Sequence, residues 1–137
     1  MTDRKVELLV PAGSLEVLKV AVDYGADAVY IGGQAYGLRA KADNFSIDEM
    51  KEAAAYAHAK NAKVYVTANI FAHNYDIDGM KTYFEQLKDT GVDAVLVSDP
   101  GIFTLAKETM PDMELHISTQ ANNTNYLTYN FWYKLGA

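Results

Sequence analysis

Glu114, His116 and Ser118 alternate along one short segment, Glu114-Leu115-His116-Ile117-Ser118. A strand turns every second side chain to the same face, so a carboxylate, an imidazole and a hydroxyl would stand in one row there. Those are the groups of a Ser-His-Glu relay, in which the imidazole takes the hydroxyl proton and the carboxylate stabilises the cation. If the chain supplies catalytic groups, these three are the candidates. A hydrogen-bonded polar layer fits the same row and is the stronger reading, because a triad is defined by geometry across elements rather than by nearness in sequence.

Further polar residues follow the apolar runs and are candidates for holding a substrate. They are Gln34, Tyr36, Arg39 and Asn44; then Asn69, His73 and Asn74; then Ser98 and Asp99; and finally Gln120 and Asn122. A fixed guanidinium at Arg39 could clamp a carboxylate or phosphate through two parallel bonds, or simply pin its own loop. His73 could move a proton, or sit in solvent as most loop histidines do. His58, in an Ala-rich stretch, reads as surface. No H-E-x-x-H or H-x-x-x-H spacing is present, and Asp76-Ile77-Asp78-Gly79 lacks the later ligands of a calcium loop, so no metal is expected. Gly32-Gly33 with Gly37 does not match the dinucleotide fingerprint.

These residues need a scaffold, and a repeat reveals it. Gly25-Ala26-Asp27-Ala28-Val29 returns as Gly91-Val92-Asp93-Ala94-Val95. Each copy reads as a helix stop followed by a buried strand. The pattern predicts strands at Val6–Val10, Asp27–Ile31, Lys63–Ala68, Asp93–Val97 and Glu114–Ser118, with helices between them and a last helix near Asn125–Leu135. Ser14, the Ser46-Ile47-Asp48-Glu49 box and Asp99-Pro100 supply helix starts. Along the strands one face reads apolar (Val6, Leu8, Val10, Val29, Ile31, Val64, Val66, Ala68, Val95, Val97, Leu115, Ile117). The other carries Glu7, Tyr30, Tyr65, Thr67, Asn69, Ser98, Glu114, His116, Ser118 and Gln120. A doubly wound sheet would be apolar on both faces. The expected fold is therefore α/β, an incomplete TIM-like (β/α) barrel of five sequential parallel strands with helices on the outer side. Chemistry in such barrels gathers beyond the strand carboxyl ends, where the polar candidates fall.

With 137 residues against the roughly 200 to 250 of a complete barrel, residues 1–137 are expected to form a single domain, the amino-terminal portion of a larger barrel protein. Half the residues are hydrophobic and Pro numbers 3, which excludes a disordered chain. No apolar run reaches the length of about 20 residues that a membrane span needs, and no signal peptide opens the chain; the expected compartment is the cytoplasm. The absence of Cys excludes disulfides, thiolate nucleophiles and thiolate-held clusters in this chain. A net charge of −6 argues against autonomous nucleic-acid binding, which draws its affinity from a basic face.

Several stretches are more specific than a generic β-α unit. They are Pro11-Ala12-Gly13-Ser14-Leu15-Glu16-Val17-Leu18, Tyr36-Gly37-Leu38-Arg39-Ala40-Lys41-Ala42 with Asn44-Phe45-Ser46, Val66-Thr67-Ala68-Asn69-Ile70-Phe71-Ala72-His73-Asn74, Val97-Ser98-Asp99-Pro100-Gly101 and Ile117-Ser118-Thr119-Gln120-Ala121-Asn122. In this order and spacing the chain resembles the amino-terminal part of the collagenase-like U32 peptidase family. The resemblance implies a barrel-like domain in a longer protein and a peptidase of unassigned catalytic type, inactive as this portion alone, acting on a peptide substrate. It equally implies the alternative of relatives that hydroxylate RNA bases or a quinone precursor with an iron–sulfur cluster, held on a Cys-rich motif downstream of this region. A non-catalytic substrate-binding domain is the third alternative. Open strand edges, an uncovered interior face carrying Leu9, Tyr30, Tyr65 and Leu96, and the late aromatics Tyr126, Tyr129, Phe131, Trp132 and Tyr133 lead us to expect a homodimer of this chain.

Overall fold

The computed structural model describes residues 6–37 and 44–137. Five strands, β1 (Leu9–Ala12), β2 (Ala28–Gly32), β3 (Lys63–Thr67), β4 (Ala94–Val97) and β5 (Glu114–Ile117), alternate with helices α1 (Leu15–Asp23), α2 (Ile47–His58), α3 (Ile77–Leu87), α4 (Pro100–Thr109) and α5 (Tyr126–Leu135). The strands are all parallel and lie in the order β1-β2-β3-β4-β5. This is the sequential wall of a (β/α) barrel, as the one-sided polar pattern predicted.

The helices start where their caps put them. The Ser14 hydroxyl accepts from Val17 N–H, Ser46 and Glu49 close a reciprocal box, and the Asp99 carboxylate accepts from Ile102 N–H ahead of Pro100. The outward strand residues Val29, Ile31, Val64, Val66, Val95, Val97 and Leu115 are buried in one core with Leu18, Met50, Phe84 and Ile102 from the helices. The inward face forms a separate small cluster of Ala28, Tyr65 and Ala94, with Tyr30 and Leu96 against it.

The repeat acquires a structural reason. Gly25 and Gly91 take φ of 100° and 84°, a region L side chains avoid, and end the helix before each strand. Two residues on, each Asp clamps the preceding strand from both sides of a backbone unit. Asp27 N–H donates to Leu8 O at 2.9 Å, and Leu8 N–H donates back to the Asp27 carboxylate at 2.8 Å. Asp93 repeats this on Val64 at 2.8 and 2.7 Å. Asp93 also lies 2.9 Å from His58 Nε2, so His58 is a partner in this clamp rather than bare surface.

Two expectations need correction. The first strand runs from Leu9 to Ala12, not from Val6 to Val10. Asp27 occupies the polar groups of Leu8, so the ladder begins one residue later and extends through Pro11, which an edge strand tolerates. Val6 and Leu8 are accordingly exposed instead of lining the helix-facing layer. Tyr65, expected in solvent on the open inner face, is 4 % exposed because Tyr30, Leu96 and His116 enclose it.

Asp93→Ala should expose what the clamp contributes. It leaves the N–H of fully buried Val64 without its carboxylate acceptor. Hydrogen bonds to charged groups contribute about 1.5–3 kcal/mol, and an orphaned buried donor costs a similar amount. A loss of about 2–3 kcal/mol in urea unfolding is expected, with a smaller loss for Asp93→Asn, which keeps an acceptor oxygen. An Asp93→Ala stability within 0.5 kcal/mol of wild type would overturn this account, since that is the ordinary scatter of surface substitutions.

Candidate functional site

Thr67, Leu96 and His116 lie in register across β3, β4 and β5. Two residues further on, past the strand ends, the same inward row continues as Asn69, Ser98 and Ser118. All three are buried, at 9 %, 8 % and 7 % exposure. The Asn69 amide Nδ2 donates to Ser118 Oγ at 3.1 Å and to Gln120 Oε1 at 3.3 Å, and the Ser118 hydroxyl donates to Gln120 Oε1 as well. Ser98 Oγ has no hydrogen-bond partner among the described residues. A buried hydroxyl without a partner costs free energy, so this row retains unspent hydrogen-bonding capacity. Among the described residues the network is neutral: amides and hydroxyls with both donors and acceptors, suited to a planar polar edge.

The described residues flanking the loop after β2, 33–37 and 44–45, lie beside the neighbouring strand ends. Phe45 returns beside Gly33 and is 2 % exposed. A Cβ on Gly33 would stand 2.1 Å from the Tyr83 hydroxyl, so only glycine lets that ring pack beneath the loop. Burial pushes the Tyr83 phenol well above the ordinary range. Tyr36 sits at φ 62° with its ring centroid 5.5 Å from that of Tyr83, and its carbonyl accepts from Ile70 N–H. Asn44 folds its amide over Gly32 at the end of β2, 2.8 Å from where a Cβ would be. Gln34 is exposed on the same loop. Arg39 lies outside the described residues.

The other candidates divide. Asp99 uses a carboxylate oxygen to cap α4, 2.9 Å from Ile102 N. His73 and Asn74 are exposed on the loop after β3, and Asn122 is exposed at φ 57° after β5.

Deeper on the inward face lies a second cluster. His116 Nε2 is 2.6 Å from Glu114 Oε1, and the Tyr65 ring meets the imidazole edge-on at 4.8 Å. The Tyr65 hydroxyl donates to Glu7 Oε2 at 2.8 Å; burial first, and that hydrogen bond second, hold the phenol far above its ordinary pKa. The structure therefore brings Glu114 and His116 together but directs Ser118 to Asn69 and Gln120. Adjacent inward positions of one strand stand side by side, so each side chain is free to find a partner on a different element. The arrangement is a hydrogen-bonded polar layer, with no serine activated by the imidazole. Tyr65 and Glu7 border the Glu114–His116 pair, Tyr83 packs against Tyr36 and Gly33, and none of the three was singled out from the sequence as functional. A tyrosine at an inward strand position, and a Gly-Gly pair facing a helix tyrosine, were the available signals.

Comparison with known proteins adds to this geometry. The sequence profile of peptidase family U32 matches residues 13–137. The chain is similar to "tRNA hydroxylation protein P1" of Bacillus subtilis (strain 168), 50 % identical over 133 residues that cover 97 % of this chain and 32 % of that protein. It is similar to "tRNA hydroxylation protein P" of Escherichia coli (strain K12), 42 % identical over 135 residues, 96 % of this chain and 29 % of that protein. Among solved structures, the U32 peptidase Mk0906 superposes with a TM-score of 0.77 at 16 % identity, covering 100 % of this chain and 58 % of that one. The last likeness speaks for the fold alone. The chain spans about a third of the length of these two curated relatives.

Proposed function

The chain belongs to peptidase family U32, and from that premise we propose that it forms the amino-terminal part of the barrel of an RNA-hydroxylating protein, holding the base to be modified at the strand carboxyl ends. The likeness to tRNA hydroxylation proteins along nearly the whole chain carries this reading. The chemistry of the mouth agrees with it. An enzyme that modifies a base must take that base out of its stack and hold its polar edge. Asn and Gln amides offer the donor–acceptor pairs such an edge requires, and Asn69, Ser98, Ser118 and Gln120 provide a neutral set.

The chain's own share is binding and orientation. The family resemblance implies an iron–sulfur cluster for the hydroxylating relatives, but this chain has no Cys to ligate one. Among the described residues no group of three or more His, Cys, Asp and Glu is placed to hold a metal ion. No helix there is long and apolar enough to cross a membrane. Peptide hydrolysis is the second reading, favoured by the family's name and by the Glu114–His116 pair. It would need a nucleophile beside that pair, and Ser118 donates to Gln120 instead.

The test is the nucleoside content of RNA. In cells lacking the gene that carries this sequence, tRNA digests analysed by mass spectrometry should lose a nucleoside one oxygen heavier than its parent, and the complete gene should restore it. Asn69→Ala in the complete protein removes the hydrogen bonds to Ser118 and Gln120 and should lower that nucleoside at least about tenfold, the equivalent of about 1.4 kcal/mol. Unchanged tRNA, together with peptide cleavage by the purified protein, would replace this reading with the peptidase one.

A further inference from the structure

We propose that the loop after β3 is a stacking platform for unpaired RNA bases flanking the one held in the mouth; this rests on the RNA reading above. The loop leaves the site directly, since Asn69 is its second residue, after Ala68. Along Ile70-Phe71-Ala72-His73 the side chains alternate in an unexpected sense. Ile70 and Ala72 pack on the core, while the larger Phe71 is 67 % exposed and His73 faces solvent beside it. Tyr75 follows at 81 % exposure, its ring stacked on the imidazole at 5.3 Å and 18°. Burial of apolar area would favour the opposite choice, Phe inward and Ala outward. Folding does not explain three outward rings in five residues.

The rings are also held in place. Asp76 accepts from His73 N–H at 2.8 Å and returns its own N–H to His73 O at 2.9 Å, closing a tight turn. A fixed turn keeps the His73 and Tyr75 rings stacked and presented, which reduces the ordering cost of binding.

Charge selects the partner. At a net charge of −6 the chain as a whole draws little affinity from phosphate neutralisation. A partner must be held by ring faces and neutral edges, and unpaired RNA bases offer both. Stacking of one base on an aromatic side chain is sequence-tolerant, so it suits flanking positions while the amides of the mouth read the target. Contact by this chain alone is weak, with a dissociation constant on the order of millimolar, and nearly independent of salt.

Proton–carbon NMR of the 137-residue chain, titrated with the trinucleotide UpUpU, tests this. Upfield ring-current shifts are expected at Phe71, His73 and Tyr75, with none at Tyr24, an equally exposed aromatic at the end of α1. Tyr75→Ala and Phe71→Ala should each weaken binding about fivefold or more, with Tyr75→Phe close to wild type. Wild-type affinity in both alanine variants would overturn the platform. So would shifts with a proline-rich peptide and none with UpUpU, or binding that collapses as salt rises. The two readings fail separately: retained tRNA hydroxylation in the complete protein carrying both alanines defeats the platform alone, whereas absence of hydroxylation in wild type defeats the function.

Discussion

Trp132→Ala should detach α5 from the barrel wall while leaving the central sheet folded. Trp132 is the one residue of this helix that is buried. Its ring lies 5.3 Å from Phe103 of α4, and Phe131 meets it edge-on at 5.2 Å. Truncating a buried Trp costs about 3–5 kcal/mol. A helix of 10 residues has almost no stability of its own in water. The Asn125 cap, accepting from Leu127 and Thr128 N–H, contributes only about 1 kcal/mol. Its packing on Phe103 therefore decides whether α5 exists as a helix. Hydrogen exchange should show the amides of residues 126–135 losing protection while those of β2 and β3, each paired on both sides, keep theirs. The effect should reach the mouth as well. Gln120 lies in the short connection between β5 and α5, and a released helix unpins the far end of the Asn69–Ser118–Gln120 network. Continued protection of α5 in this variant would mean that contacts other than Trp132 hold it.

That anchor illustrates what the sequence could and could not convey. The existence of α5 and its start near Asn125 are local chemistry, and both were readable. The same holds for the Gly25/Asp27 and Gly91/Asp93 repeat, because a helix stop and a buried strand each leave a signature within a few residues. Which of the many aromatics on α5 would turn inward was not readable, since it depends on where α4 places Phe103. The site follows the same division. Polar residues after each strand could be assigned to the mouth from alternation alone. The partner of Ser118 could not, because it is set by Asn69, 49 positions away and across an intervening strand. Tyr65 and Glu7 meet over 58 positions for the same reason. The first strand starts later than alternation predicts because the residue that fixes its start, Asp27, stands 19 positions away, just ahead of β2.

The remaining outward surface of α5 leads to the second large effect, self-association of this chain. Tyr126, Leu127, Tyr129, Phe131, Tyr133 and Leu135 are all exposed, and a groove of about 340 Å3 runs between this helix and β5. Strand β5 pairs on one side only, so its outer backbone groups are free to template another strand. The burial of Tyr65 matters here, for it moves the exposed apolar surface from the inner face to this edge. We expect a second copy at this edge. A twofold axis beside β5 makes the two edge strands antiparallel, and the same operation lays one α5 against the other, as an isologous interface requires. Sedimentation across a concentration series should therefore show dimers at high micromolar concentration. Two chains of −6 repel one another, so added salt should strengthen the dimer. Tyr129→Lys with Tyr133→Lys, at positions 66 % and 78 % exposed, should return the chain to monomer with its unfolding midpoint little changed. A wild-type chain that stays monomeric at those concentrations would mean that the α5 aromatics cover the β5 edge within one molecule. In that case the double lysine variant would lose stability instead of association, which separates the two explanations in a single measurement.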